Sequence, residues 1–332
     1  MNSIFLFSGQ GSQYQGMLQD IYAAYPAAQK VIDDISTITG EPIKELLWDT
    51  DKSVLARSDK GQIAIIAVET AILAILRERG IQPSAVAGFS LGEFAALYAA
   101  GVLDFTTMIR IVQKRGNIMQ KACDRIAAAG GTQGTCGMAA VTKLPPEVIR
   151  QLLQPYADFE HGTVFAANMN SPAQTVISGT ADGLTLAEKL CKEAGAKRFI
   201  RLAVAGPFHS PLMREAAKEF EAAIAAETFA DPSIPLFSNV SGKQIQSGAE
   251  AKTNAVLHLT HPVLWTDEEK ELAHSMQGKG DWQLIEIGPG NTLCNLWRDS
   301  GYAQYDDGEP KTIACLPTGT AEQLQKVLNG RT

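Results

Sequence analysis

Three side chains in this sequence have a type and a setting suited to covalent chemistry. The first is Ser90, in Gly88-Phe89-Ser90-Leu91-Gly92, a Gly-x-Ser-x-Gly string. It falls where an apolar strand pattern, Ala85 to Phe89, gives way to a helical one near Leu91, and that strand-to-helix setting is what the string requires. Small flanking residues allow the strained backbone of such a turn, and the helix N-terminus offers N–H groups to a developing oxyanion. A Gly-rich turn carrying an ordinary serine is the competing reading.

A serine hydroxyl needs a base to accept its proton, and five histidines are available. His161 lies in a polar loop and His274 in a charged helical stretch, both solvated settings. His209 differs, because Gly206-Pro207-Phe208-His209 is a constrained turn just before Ser210-Pro211, an N-cap and N1 pair. That turn holds the ring rigidly at an element end, although a histidine satisfied locally at a helix start would look the same. The third residue is Arg115. It shares the i, i+3, i+4, i+7 stripe of Met108, Ile111, Val112, Met119 and Ala122, an apolar face where a guanidinium needs an anion or a route to water. Gly116 beside it leaves room for close approach, and a planar carboxylate is the anion Arg recognises best. An internal Asp or Glu, or an outward-snorkelling side chain, would also satisfy it.

The loop Gly9-Gln10-Gly11-Ser12-Gln13 follows a short buried strand, Ile4 to Phe7. Tyr14 stands where a dinucleotide fingerprint needs its third glycine, so the loop is better suited to presenting a backbone N–H to an oxyanion. Gly288-Pro289-Gly290 is a second turn at a strand end, read as structural.

The elements that must position these residues are those of an enzyme-sized α/β protein. The chain has 332 residues, 45% hydrophobic and 20% charged, with a net charge of −7. An acidic balance with no Lys/Arg run excludes a nucleic-acid partner. The apolar stretch Ile63 to Leu76 is broken by Glu69 and Thr70 and is too short to span a membrane. Cysteines at 123, 136, 191, 294 and 315 have neither zinc-ligand spacing nor a paired framework, so no metal is expected. With no secretory signal pattern at the N-terminus, the expected location is cytoplasmic.

Strand and helix alternate in the first part: a helix over Gly61 to Gly80, and another from an Asp104 N-cap to about Ala129, stopping at Gly130-Gly131. From Met138 to Leu202 the order becomes βαββαβ, with strands around Asn168 and Val176 and helices over Pro145 to Leu153 and Ala181 to Ala194. That order is ferredoxin-like. Alternation then resumes with strands over Pro235 to Val240 and Leu284 to Ile287. The expected fold is α/β: an α/β-hydrolase-like large domain with a parallel sheet, residues 1–130 and 203–332, interrupted by an inserted ferredoxin-like α+β subdomain, residues 131–202.

Taken together, FSGQGSQ, GFSLGE, QKRGNIMQ, NMNSP, GPFHSPLM, HPVLW and IEIGPG occur in an order that resembles the malonyl-CoA:acyl carrier protein transacylases and the acyltransferase domains of fatty-acid and polyketide synthases. The likeness runs nearly end to end. It implies that Ser90 takes a malonyl group from malonyl-CoA and that His209 then activates the phosphopantetheine thiol of an acyl carrier protein. It implies an oxyanion hole from the backbone N–H groups of Gln10 and Leu91, and a carboxylate clamp at Arg115. Gln62 stands at the family's substrate-side glutamine, and Met119 and Phe208 fall to the substrate pocket. Leu91 and Phe208 resemble the malonyl-selective members. The histidine is steadied by a backbone carbonyl, here at His258, rather than by an acid, and no cofactor is implied.

Three positions depart from the family pattern: Phe89 replaces a usual His, His258 a common Gln, and Ser8 a common Pro. The carrier would meet a local basic patch, with Lys114, Lys121, Arg125, Lys197, Arg198 and Arg201 as candidates. Other readings compatible with the residues are an acyl hydrolase using water as acceptor, the transacylase subunit of a malonate decarboxylase, and a non-catalytic carrier-docking module.

Overall fold

A computed structural model describes residues 2–129, 136–277, 280–306 and 310–330. The strand predicted over Ile4 to Phe7 is β1 (Asn2–Phe7), and its side chains from Ser3 to Phe7 are all buried. A strand with no solvated face is what a parallel sheet covered on both sides requires. β1 pairs in parallel with β2 (Ala85–Gly88) on one side and β7 (Trp282–Ile287) on the other, and β10 (Cys315–Pro317) extends the sheet beyond β7. Phe7 is in register with Gly88 and with Ile287, so three strands end at one level. The loops after them, carrying Gly9, Ser90 and Gly288, therefore converge at the carboxyl edge, where open α/β sheets bind ligands.

The helices follow their patterns. α1 (Gln19–Ala24), α2 (Pro26–Thr39), α3 (Ile43–Trp48) and α4 (Lys52–Leu55) lead into α5 (Ser58–Glu78), buried along nearly its whole length. α6 (Gly92–Ala99) starts directly after Ser90, and α7 (Phe105–Ala129) begins at Asp104, whose carboxylate accepts the Thr107 N–H at 2.9 Å. The stop expected at Gly130-Gly131, and with it the join between the two expected domains, lies outside the described residues. Gly116 serves helix packing, since a Cβ there would lie 2.7 Å from the Ser58 carbonyl at the start of α5. No helix among the described residues is long and apolar enough to cross a membrane.

The second sheet is antiparallel, with strand order β4-β5-β3-β6. Its chain order is β3 (Gly137–Thr142), α8 (Pro146–Leu153), β4 (Val164–Ser171), β5 (Gln174–Gly179), α9 (Ala181–Glu193) and β6 (Arg198–Arg201), the ferredoxin-like arrangement. It has its own small core, in which Ile149, Leu153, Leu184 and Ala187 of the two helices meet Val141, Val164 and Ile177. α10 (Arg214–Ile224), α11 (Gly248–Leu257), α12 (Trp265–Met276), α13 (Thr292–Ser300), the pair β8 (Gln304–Asp306) and β9 (Pro310–Thr312), and α14 (Ala321–Asn329) complete the chain.

Two local expectations are corrected. The strand expected over Pro235 to Val240 is reduced to single bridges, Leu236 with Val86 and Phe237 with Gln244. The chain turns instead, with Gly242 N–H donating to Ser238 O at 2.8 Å, and this turn carries Asn239 into the interior. Ser210 does precede a helical turn, Pro211–Met213, but its hydroxyl donates back to Pro207 O at 2.6 Å rather than capping it.

At the Ser90 turn the need for glycine is steric. A Cβ on Gly92 would lie 2.3 Å from Phe7 O and 2.5 Å from Ser8 O, and one on Gly88 would lie 2.1 Å from the Gly92 carbonyl carbon. These contacts are backbone, which cannot step aside as a side-chain end can. Gly92→Ala is therefore expected to lower stability by about 3 kcal/mol or more, read from the urea midpoint. An unchanged midpoint would contradict the close approach of α6 to β1.

Candidate active site

Ser90 sits between β2 and α6 with φ at 53°, in the left-handed region that costs a non-glycine residue about 1–3 kcal/mol. Several hydrogen bonds hold it there. Phe89 N–H donates to Phe7 O at 2.9 Å, Gly92 N–H to Phe89 O at 3.0 Å, and Ser90 N–H to Asn239 Oδ1 at 2.6 Å. His209 is also left-handed, φ 57°, and the Phe208 carbonyl before it accepts the Ser178 hydroxyl. The two strained residues face each other, with Ser90 Oγ 2.8 Å from His209 Nε2, both buried.

The tautomer follows from the partners. His209 Nδ1 lies 2.8 Å from the His258 carbonyl oxygen, which can only accept, so Nδ1 carries the proton and Nε2 is left to accept from Ser90. Burial, and then the positive charge of Arg115, lower the His209 pKa to about 4. The ring is therefore neutral, and competent as a base, throughout the neutral range. His258 contributes more than its carbonyl. Its ring is fully buried, its Nε2–H donates to Asn239 Oδ1 at 2.9 Å, and burial followed by the His209 neighbour pushes its own pKa well down.

Asn239, which sequence reasoning missed, joins these parts. Its Oδ1 accepts from Ser90 and His258, its Nδ2 donates to Gly88 O at 2.7 Å and Glu268 Oε1 at 2.5 Å, and its N–H donates to Glu93 Oε2 at 2.9 Å. Glu93 is buried, and that burial outweighs the Asn239 bond and the Arg115 charge to push its pKa up to about 8. Burial thus disfavours its charged form. The only sequence signal for Asn239 is the polar pair Ser238-Asn239 inside the Pro235 to Val240 strand pattern.

Arg115 is 1% exposed, the largest charged side chain in the core. Its Nη1 donates to Gln62 Oε1 at 2.7 Å and its guanidinium lies over the Phe94 ring, 5.3 Å from the centroid. Among the described residues it makes no ion pair, and its Nε and Nη2 have no hydrogen-bond partner. Burial lowers its pKa to about 10, so it stays charged. The side chain opens on a cavity of about 340 Å³ that Ser90 and His209 also line. The parallel-sheet side of that cavity is Gly9, Gln10 and Phe89; the antiparallel sheet contributes Met138, Ala140, Asn168 and Val176. Such a cavity is apolar on most of its wall and holds one free cation beside a hydroxyl–imidazole pair. That arrangement is suited to acyl transfer from a substrate bearing a carboxylate.

The other expected residues are distributed around this centre. Met119 and Phe208 line the cavity. Gln62 is fully buried behind Arg115 rather than on the wall, with its amide 3.3 Å from Met119 Sδ and 3.4 Å from Gln10 Oε1. Gln10 is at the cavity and Leu91 is buried at the start of α6; neither N–H makes a hydrogen bond among the described residues. Phe89, in place of a usual His, packs edge-on against Trp265 at 5.3 Å, and the Ser8 hydroxyl donates to Ile287 O at 3.3 Å. Of the basic candidates, Lys114 is paired with Glu227 at 2.9 Å and Arg125 with Glu219 at 2.7 Å. Two polar residues of the NMNSP segment, Asn168 and Asn170, also face the cavity, and Asn170 Oδ1 is buried without a partner.

Residues 4–327 match the acyl transferase domain family. The chain is 36% identical over 318 residues to the malonyl CoA-acyl carrier protein transacylase of Bacillus subtilis strain 168, covering 96% of this chain and 94% of that one. The Escherichia coli K12 protein of the same name is 34% identical over 293 residues, 88% of this chain and 90% of that one. Among solved structures, a malonyl-transacylase in complex with a type II polyketide synthase acyl-carrier protein superposes with a TM-score of 0.87 at 32% identity, covering 99% of this chain and 100% of that one. The Streptococcus pneumoniae enzyme gives 0.85 at 33%, with 99% and 100% covered.

The low His209 pKa predicts how Ser90 reactivity depends on pH. Neutral imidazole is the active form, so inactivation by phenylmethylsulfonyl fluoride should persist on acidification and halve near pH 4, not near the ordinary 6.5. Removing the Arg115 cation removes one cause of the lowering, so Arg115→Ala should move that midpoint upward. A wild-type midpoint at 6.5 would contradict the assignment.

Proposed function

We propose, from the premise that this chain belongs to the acyl transferase domain family, that it transfers a malonyl group from malonyl-CoA to the phosphopantetheine thiol of an acyl carrier protein, by way of a malonyl ester on Ser90. The observation that carries this reading is the unpaired Arg115 guanidinium in the same cavity as the Ser90–His209 pair. A simple acyl group gives such a cation nothing to bind, whereas malonyl presents a carboxylate at its far end.

In this mechanism the malonyl carboxylate meets the free Nε and Nη2 donors of Arg115, with Gln62 holding the guanidinium from behind. His209 takes the Ser90 proton as Oγ attacks the thioester carbonyl, and the N–H groups of Gln10 and Leu91 receive the oxyanion at the N-terminus of α6. Coenzyme A leaves as the thiol, protonated by His209. The carrier's thiol then enters, His209 takes its proton, and sulfur attacks the ester to regenerate Ser90. The carboxylate of the bound malonyl group neutralises Arg115, which raises the basicity of His209 once substrate is in place.

The carrier docks through the candidate cations that ion pairs among the described residues leave free, Lys121, Lys197, Arg198 and Arg201, on a chain whose net charge is −7. The division into a large domain of 1–130 and 203–332 and a small one of 131–202 belongs to the same proposal, with the cavity between them. We place the reaction in the cytoplasm, in keeping with five cysteines that are all free thiols.

Mixing the protein with labelled malonyl-CoA should leave one label per chain, and Ser90→Ala should abolish it. Adding an acyl carrier protein bearing its phosphopantetheine should move the label onto the carrier. Release as free malonate would instead identify a hydrolase, and absence of any covalent label a docking module.

A further inference from the structure

Outside the catalytic cavity, a second group of chemically active side chains lies between α13 and the edge of the parallel sheet. Cys294, in the first turn of α13, and Cys315, the first residue of β10, bring their sulfurs to 2.6 Å across 21 residues of sequence. Both are half-buried, and both line a surface cavity of about 320 Å³ with Asn291, Trp297 and Arg298, through which a small oxidant or reductant can reach them. The buried carboxylate of Glu286 lies against them, with all three ligand atoms within 4.8 Å of one another. Both Glu286 oxygens already accept backbone N–H groups, from Leu293 at 3.0 Å and Cys294 at 2.8 Å, so the cluster is read as thiol chemistry rather than as a cation site.

We propose that Cys294 and Cys315 form a redox-responsive pair that a hydroperoxide closes to a disulfide. A disulfide has its sulfurs about 2.05 Å apart, so closure from the present separation needs the two sulfurs to approach by about half an ångström. In the first step Cys294 Sγ attacks the hydroperoxide oxygen. The O–O bond breaks, Cys294 becomes a sulfenic acid, and its thiol proton passes by way of Glu286 to the leaving oxygen, giving an alcohol or water. In the second step Cys315 Sγ attacks Cys294 Sγ. The S–S bond forms, the S–O bond breaks, and the departing hydroxide takes the Cys315 proton as water. The two sulfurs together lose two electrons and the hydroperoxide gains them.

The position of Cys294 gives it the first step. It lies in the first turn of α13 with its own N–H on the Glu286 carboxylate, the group that relays its thiol proton. Burial, with Cys294 and Glu286 alongside, pushes the Cys315 thiol well up and leaves it the resolving partner. Of the remaining thiols, Cys123 and Cys191 are buried and Cys136 is half-buried, and none of them is in sulfur-to-sulfur contact at the separation of this pair among the described contacts. Closure has a structural consequence near the catalytic cavity, because Thr292, Leu293 and Leu296 of the same helix form part of its wall. The cross-link ties that wall to the sheet edge at β10.

The test uses the whole protein, treated briefly with hydrogen peroxide, alkylated with N-ethylmaleimide and weighed intact under denaturing conditions. The expected result is a loss of about 2 Da before alkylation, with three rather than five cysteines labelled. A Cys294–Cys315 cross-linked peptide should appear in the digest and disappear with dithiothreitol. Cys294→Ser and Cys315→Ser should each abolish the mass loss while leaving the thermal midpoint in reducing buffer unchanged. Labelling of all five cysteines after peroxide would overturn the proposal. So would a gain of about 32 Da on Cys294 with Cys315 still free, or a mass loss that survives both serine substitutions.

Discussion

A guanidinium buried to 1% exposure without a counter-ion is the constraint around which the rest of this site is arranged. An unpaired charge in a protein interior is costly, and its tolerance here depends on one hydrogen bond to Gln62 and the face of Phe94. Glu93, the nearby acid, does not cancel the charge. Its own burial pushes its pKa up to about 8, which disfavours its charged form and leaves the Arg115 field available in the cavity. That field also acts on His209, where it adds to burial in keeping the imidazole neutral. One cation thus accounts for an anion-seeking cavity and contributes, after burial, to a base that is ready in the free protein.

The nucleophile imposes a second demand, which is met by packing and by one amide. Ser90 is held in a left-handed conformation between a strand and a helix that approach closely because Gly88 and Gly92 carry no Cβ. Asn239 secures the turn with its whole side-chain amide and its backbone N–H: two acceptor contacts, two side-chain donor contacts and the bond to Glu93. Through His258 the same amide is linked to the element whose carbonyl orients His209. Serine and histidine come from distant parts of the chain, 119 residues apart, yet they share this one buried anchor.

Much of this was legible in the sequence wherever the signal was local. The Gly88-x-Ser90-x-Gly92 turn, the constrained turn at His209 and a charge on the apolar stripe of α7 each announce themselves within a few residues. The βαββαβ order was legible for the same reason, since each strand and helix has its own periodicity. Asn239 was not, because its role arises from partners 149, 151 and 146 residues away, and the apolar run before it reads as a strand. Gln62 illustrates a finer limit. Its family position suggested contact with substrate, but a helix pattern cannot distinguish the cavity wall from the layer behind it.

The account rests most directly on the claim that Arg115 selects a carboxylated acyl group. The measurement that tests it compares kcat/KM for malonyl-CoA and acetyl-CoA in the native protein and in Arg115→Ala. A lost charge-assisted, bidentate contact should cost about 2–4 kcal/mol with malonyl-CoA, on the order of 30- to 1000-fold, with acetyl-CoA nearly unaffected. Equal losses on the two substrates, or no loss with malonyl-CoA, would contradict it.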